Sequence, residues 1–353
     1  MYDKKGVLNL KTIKEIIEAK NPGDIFTGNI NTLKKEYRDY VKICHPDANK
    51  TKDENISSNA MTNLSYLYEK AKEDIDKGYW FYGNMIKIYG IDKKTYSLNF
   101  IKKHNFELGE MYISSSCVMY LVDKKFKQFY NNFIKRISNF KYADSLMKDE
   151  FEKYLPTKLS NFETKDGKLG LVIKKTKDVL SLRDILNYYN GNIPDRHVAW
   201  ILSSLYNLAC YLSYNKIVHN NITVDTYFIS PLYHSGCLLG GWWYTTQEKE
   251  KMIGTTGEVL SVMTKTTKDL KLSDTKTDLE SIKLLGRIIL GSRSGAKLSE
   301  IGVPAPFIAW LRGITNNNAF ETYRIWKDKI LIESYGERKF VEMKLDENIL
   351  YKK

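Results

Sequence analysis

The segment LKKEYRDYVKICHPDANK, Leu33 to Lys50, constrains the fold more than any other stretch of the chain. Leu33, Tyr37, Tyr40, Val41 and Cys44 recur at helical spacing and predict one apolar face. Lys35, Arg38 and Lys42 lie three and four apart and fall on another face. Pro46 cannot continue the helix and biases His45 towards an extended backbone. The helix must stop there, and His45, Pro46 and Asp47 are expected at an exposed turn. A polar loop over 49–55 follows. Then Ala60, Leu64, Leu67, Ala71 and Ile75 return to helical spacing and predict a second helix, ending near Lys77 and Gly78. Two amphipathic helices joined by a polar connection make an antiparallel hairpin. Leu10, Ile13 and Ile17 predict a short helix ahead of it, ended by Asn21-Pro22-Gly23.

This hairpin, with its tripeptide at the tip, resembles a J-domain, the DnaJ-like module. The matching residues are Tyr37-Arg38, His45-Pro46-Asp47 and Leu64 to Tyr68. The resemblance implies a DnaK-type heat-shock chaperone as partner. Lys35, Arg38 and Lys42 would meet an acidic chaperone surface and steer association. His45, Pro46 and Asp47 would contact the partner, with His45 and Asp47 coupling docking to its ATP hydrolysis.

The chain has 353 residues, enough for two domains and a large core. The expected division is a J-domain-like helical domain over 1–78, an aromatic-rich connector over 79–105, and a larger domain over 106–353. The connector carries Trp80, Phe81 and four tyrosines, so it is expected to pack rather than to swing free. No apolar run reaches about 18 residues, which predicts no membrane span. The start of the chain reads as helical and charged rather than as a signal peptide. Cys44, Cys117, Cys210 and Cys237 have neither metal-type nor disulfide-type spacing and predict reduced thiols in a cytoplasmic protein. No metal site and no cofactor are expected. The net charge of +13 permits nucleic acid or another acidic partner. The most one-sided stretch, Ile101 to Lys141, holds eight basic and three acidic residues, and a solvated surface is the preferred reading of its lysines.

From Phe106 the pattern turns to strands: Met111–Ile113, Cys117–Val122 and Leu169–Ile173. Phe126 to Tyr154 reads as largely helical, as does Leu180 to Tyr189. Asp195 to Tyr214 is a helix with Val198, Leu202, Leu205, Ala209 and Leu212 in one stripe. Short strands follow at Ile217-Val218, Tyr227–Ile229 and Cys237–Leu239. Asp278 to Leu290 is another helix, with Asp278 expected as its N-cap and Gly291 as its stop. Pro304 to about Tyr335 is mostly helical.

This order is similar to the protein-kinase fold over Phe106 to Trp326. His219-Asn220-Asn221-Ile222 lies where the kinase catalytic loop would lie. Cys237 to Trp242 lies where the strand before the Asp-Phe-Gly motif would lie. Asp278-Leu279-Glu280-Ser281 resembles the start of the helix whose aspartate supports that loop. The expected fold class is therefore multidomain, α and α+β: a helical J-domain-like hairpin, then a two-lobed protein-kinase-like domain.

The chemistry does not carry over. Phosphoryl transfer needs a carboxylate to orient the attacking hydroxyl and oxygen ligands for magnesium. The base position holds Asn221, the second metal-ligand position Thr226, and the Asp-Phe-Gly position Gly240-Gly241-Trp242. Gly109 stands alone where a glycine-rich loop would be, and Lys124 and Lys125 read as surface lysines at a turn. The resemblance implies a pseudokinase. Trp242-Trp243-Tyr244 is expected to fill core rather than to stack on a ligand.

The function these readings converge on is a J-domain co-chaperone whose kinase-like half selects a client protein or a location. An atypical kinase or nucleotide-dependent transferase is the first alternative. A nucleic-acid-binding or structural assembly protein is the second.

Overall fold

Asn29 starts the basic helix by accepting from the Asn31 N–H, and the helix Ile30–Cys44 runs to His45, its extended C-cap (φ −62°, ψ 132°). The structure is a computed structural model that describes residues 10–45, 54–337 and 340–351. Pro46, Asp47 and residues 49–53 of the expected loop lie outside the described residues, as does the chain start before Leu10. Glu54 and Asn55, expected in that loop, belong to the helix Glu54–Lys77.

Contacts group the chain into two units. The first comprises Met1–Ser114, Met119–Lys124 and Asn161–Leu171. Here Ile13–Glu18, Ile30–Cys44 and Glu54–Lys77 pack around Ile16, Phe26, Leu33, Tyr40, Cys44, Leu64, Leu67 and Ala71. Tyr37 stacks on Tyr68 at 4.2 Å between ring centres, so the two hairpin helices meet on the face that the spacing predicts. Glu36 is a buried acid that the apolar pattern gives no sign of. Its carboxylate accepts from the Thr27 N–H at 2.8 Å and from the hydroxyls of Thr27 and Thr32, both at 2.5 Å. It ties the incoming segment to the helix it precedes.

The aromatic-rich stretch is a three-stranded antiparallel sheet, Tyr79–Tyr82, Met85–Tyr89 and Thr95–Asn99. Trp80 enters the helical core. It lies so close to Gly28 (φ +85°) that a Cβ there would meet its ring at 2.8 Å. Asp24 accepts from the Gly83 N–H at 2.8 Å and fixes the first turn of the sheet. A second sheet has the spatial order Lys102–Phe106, Gly109–Ile113, Cys117–Val122, Leu169–Lys174, Lys158–Glu163. Gly109 serves strand packing: a Cβ there would stand 2.0 Å from the Leu121 carbonyl oxygen.

The second unit comprises Ser115–Val118, Lys125–Ser160 and Val172–Lys353. Its central helix is Asp195–Tyr214, with the bounds that the sequence predicts. It is buried on far more than one stripe, since His197, Trp200, Ile201, Tyr206, Leu208 and Tyr211 are also covered. The helices Thr275–Ile289 and Ala319–Ile325 pack on it. Trp326 donates its indole N–H to Ser203 at 2.8 Å, and Trp310 donates to the Tyr206 hydroxyl at 3.0 Å. Phe126 to Tyr154 divides into the helices Lys127–Ile137 and Ser145–Phe151 with short 3-10 turns. The short strands Tyr227–Ser230 and Ser235–Leu238 form a hairpin whose first strand also pairs with Leu180–Ser181.

Gly109→Ala should destabilise the chain by about 2 kcal/mol or more, because the backbone it would strike cannot yield as a side-chain tip could. Urea unfolding of the variant beside the parent measures this. A midpoint equal to the parent's would refute the packing role.

Candidate functional site

The loop from His219 to Thr226 leaves the strand Ile217–Val218, which pairs with Thr246–Gln247. Its later residues close a turn on the Thr223 carbonyl, while its first two N–H groups find a partner on the helix Thr275–Ile289. That helix is capped by Asp274, whose side chain accepts from the Lys276 N–H at 2.9 Å. The expected cap, Asp278, lies one turn further in. Two aspartates four apart have equal capping chemistry, but Asp278 shares an inward stripe with Ile282, Leu285 and Ile289. Its carboxylate, 3% exposed, accepts the His219 N–H at 2.7 Å and the Asn220 N–H at 2.9 Å. Burial pushes Asp278 up to about 7, while the two N–H donors pull the other way.

The loop residues satisfy one another. Asn220 adopts a left-handed conformation (φ +60°), and its amide N–H2 reaches the Tyr244 carbonyl at 3.0 Å and the Thr246 hydroxyl at 2.9 Å. His219 lies 3.1 Å from the Gly240 carbonyl through Nε2, which therefore carries the proton. Complete burial pushes this imidazole down to about 3 and keeps it neutral. The Thr226 hydroxyl donates to the Asn221 carbonyl at 2.7 Å and accepts from the Thr223 N–H at 3.0 Å. Gly241 (φ +82°) fits where a Cβ would stand 2.6 Å from the His219 ring and 3.0 Å from the Asn221 carbonyl. His219, Asn221, Thr226, Gly240 and Asp278, scattered over sixty positions of sequence, thus meet in one hydrogen-bonded cluster.

Sequence reasoning missed two parts of this cluster. The Thr255 hydroxyl donates to the Asn220 carbonyl at 2.8 Å, and the Thr256 hydroxyl to Asn221 Oδ1 at 3.3 Å. A threonine pair between Gly254 and Gly257 was the available signal. The other part is Asp225, the one acid between Ile217 and Trp242. Arg183 holds it through two bonds of 2.7 Å. Of the two carboxylates here, Asp278 is buried beneath the loop and Asp225 is paired with Arg183. Trp242, Trp243 and Tyr244 are buried against His219, Phe133 and Phe129 and fill core. Lys124 is exposed and faces Glu163 at 3.4 Å.

On the basic helix, Lys35, Arg38 and Lys42 are exposed, as is His45 just beyond it. Lys42 also pairs with Asp39 at 2.9 Å. All four cysteines are buried and none is in a disulfide. Among the described residues, no group of three or more His, Cys, Asp or Glu side chains is placed to hold a metal. No described helix is long and apolar enough to cross a membrane.

No protein-family model and no curated protein matches the chain. Among solved structures, the chain is similar to one described as "Structure of vaccinia related kinase 3". The identity is 14% and the TM-score 0.46, over 69% of this chain and 90% of that one.

Asp278→Asn should cost about 1–3 kcal/mol, because an amide accepts one of the two N–H groups and points its own N–H at the other. The raised value also sets a sign. A carboxyl held above its ordinary range favours the folded state most when protonated, so its contribution falls as pH rises from about 4 through about 7. The advantage of the parent over the variant should therefore shrink between about pH 5 and about pH 8. Paired chemical denaturation across that range tests both the size and the slope.

Proposed function

We propose that residues 106–353 form a protein-kinase-like domain that does not transfer phosphate and acts as a binding platform. The observation that carries this reading is the Asp278 carboxylate bonded to the backbone of His219 and Asn220. Kinase resemblance implies that support for a catalytic loop, and the loop keeps it here without the catalytic groups. Asn221 occupies the base position with its amide oxygen accepting from Thr256. Its oxygen takes up a proton far less readily than a carboxylate near neutral pH. Thr226 turns its hydroxyl into the loop, and Gly240 has no side chain to offer magnesium.

In the same proposal the helices within residues 1–78 are a J-domain-like module that recruits a DnaK-type chaperone. Residues 79–105 link it to the kinase-like platform, which holds a client protein. Support comes from the helix Ile30–Cys44, which buries Leu33, Tyr40 and Cys44 and presents Lys35, Arg38 and Lys42 outward, with His45 exposed at its end. A row of cations on a rigid helix suits an acidic docking surface and raises the rate of encounter.

Two outcomes follow from this reading. The purified chain with ATP and magnesium should transfer no phosphate to itself or to a generic protein substrate. Asn221→Asp alone should not restore transfer, since Thr226 and Gly240 still supply no metal ligand. Magnesium-dependent labelling by the unmutated chain, free of contaminating kinase, would overturn the platform reading.

His45→Gln should leave unfolding free energy within about 1 kcal/mol of the parent, as at other exposed positions. The same change should abolish stimulation of a DnaK-type ATPase. Reversing Arg38 and Lys42 to glutamate should instead slow association and flatten its salt dependence. An unmutated chain that neither binds nor stimulates a cognate DnaK-type chaperone would remove the co-chaperone part and leave the platform standing.

A further inference from the structure

Beyond the loop, the second unit holds a cavity of about 620 Å³ beside the C-terminal end of the helix Thr275–Ile289. Its basic lining is Arg287, Arg293 and Lys297, and its hydroxyl lining is Ser261, Ser292 and Ser294. No acidic residue lines it. Arg293 gives Nη1 to Glu258 at 3.2 Å and Nη2 to the Ser261 hydroxyl oxygen at 3.4 Å.

The donors in this cavity outnumber the acceptors. Arg287 gives Nε to the Arg293 carbonyl at 3.0 Å and Nη1 to the Leu311 carbonyl. Those two bonds fix its guanidinium plane, and Nη2 has no acceptor among the described residues. The Ser292 hydroxyl oxygen accepts from the Lys297 N–H at 3.2 Å, and that of Ser294 from the Ala296 N–H at 3.3 Å. Both hydroxyl protons are left without an acceptor among the described residues. Lys297 is exposed and has no carboxylate partner there. The turn that carries these groups depends on Gly295 (φ +79°), where a Cβ would meet Arg287 Cδ at 3.1 Å and Arg312 Cγ at 3.2 Å.

Arg293 repels the neighbouring Arg287, although Glu258 pairs with Arg293 and Glu280 attracts Arg287. Burial is the first cause holding Arg287 below the usual guanidinium range, and the charge of Arg293 adds to it, with Glu280 opposing. A dianion in the cavity would relieve that repulsion and accept from the guanidinium, ammonium and hydroxyl donors together. Guanidinium groups and serine hydroxyls suit the tetrahedral oxygens of a phosphate, and the volume accommodates more than the phosphate itself.

We propose that this cavity binds a phosphomonoester, with its phosphate held by Arg287, Arg293, Lys297 and the hydroxyls of Ser292 and Ser294. The site stands independently of the chaperone and kinase-like readings, because it rests on donors that neither uses. The phosphate could be carried by a phosphorylated side chain or by a small metabolite.

Calorimetric titration of the full chain tests this with three probes: a phosphoserine peptide, AMP and inorganic phosphate, each at constant ionic strength. Saturable binding of at least one probe is expected, with the tightest probe identifying the carrier. Arg293→Gln combined with Lys297→Met should weaken it about tenfold or more, the size expected for losing charge-assisted bonds. Both side chains are exposed, so the thermal midpoint should stay at the parent value, and Ser294→Ala gives a milder loss without touching charge. Binding of all three probes no stronger than that of chloride would overturn the proposal. So would equal affinity in the parent and the double variant.

Discussion

A single buried carboxylate sets the geometry of the second unit. Asp278 faces two consecutive backbone N–H groups, those of His219 and Asn220, just as the chain leaves the strand and turns at left-handed Asn220. Leaving two such donors unpaired in the interior would cost several kcal/mol. Removing a carboxylate from water also costs several kcal/mol, and that opposing cost is visible in its upward-shifted proton affinity. Neither group is stable there without the other. The strand Ile217–Val218, the loop after it and the helix Thr275–Ile289 are therefore fixed as one piece. The same piece orients His219, whose ring reaches back to Gly240 and brings the strand hairpin into register with the loop.

Around that anchor the loop bonds through neutral groups. The side chains of Asn220, Asn221, Thr223, Thr226, Thr255 and Thr256 close a network of amides, hydroxyls and carbonyls. Neutral groups can be buried together without the repulsion that two or three carboxylates would bring. An active site must keep unpaired charge poised for its substrate and gives up stability to do so. This loop keeps no such charge. Its polar atoms are taken up by one another.

Much of this was legible in the sequence, for a physical reason in each case. Long helices announce themselves by spacing: Asp195–Tyr214 has the bounds that its proline start and apolar run predict, and Leu33, Tyr40 and Cys44 face the core as their period requires. The placement of Asp278 beside His219 was expected only through the resemblance to the kinase fold. The choice between Asp274 and Asp278 as cap was not legible, since local chemistry is the same and only the packed stripe separates them. The sheet over Tyr79–Asn99 was illegible because its strands are four and five residues long, too short for a period to emerge above the aromatics. Glu36 was illegible for another reason. Thr32 lies one turn before it on the same helix, but Thr27, which supplies both an N–H and a hydroxyl, comes from the segment ahead of that helix.

Charge shows the same separation between chain order and space. Along the sequence, Ile101 to Lys141 is the most basic stretch. In the fold, Lys124 faces Glu163 and Arg136 faces Glu250, acids that lie outside the stretch, while Lys103 pairs with Glu110 inside it. Elsewhere, Lys175 and Lys283 are buried and donate to backbone carbonyls, and burial pushes both down to about 8. Lys283 and Arg287 direct their donors at Gly313 and Leu311, where the helix Ala305–Arg312 leaves carbonyls without partners. Part of the +13 is thus spent on holding the fold together. Binding a nucleic-acid backbone depends on cations aligned on one face and free to displace counterions. The paired and buried cations lower the surface field below what composition implies. The outward row Lys35, Arg38 and Lys42 on the helix Ile30–Cys44 stays exposed.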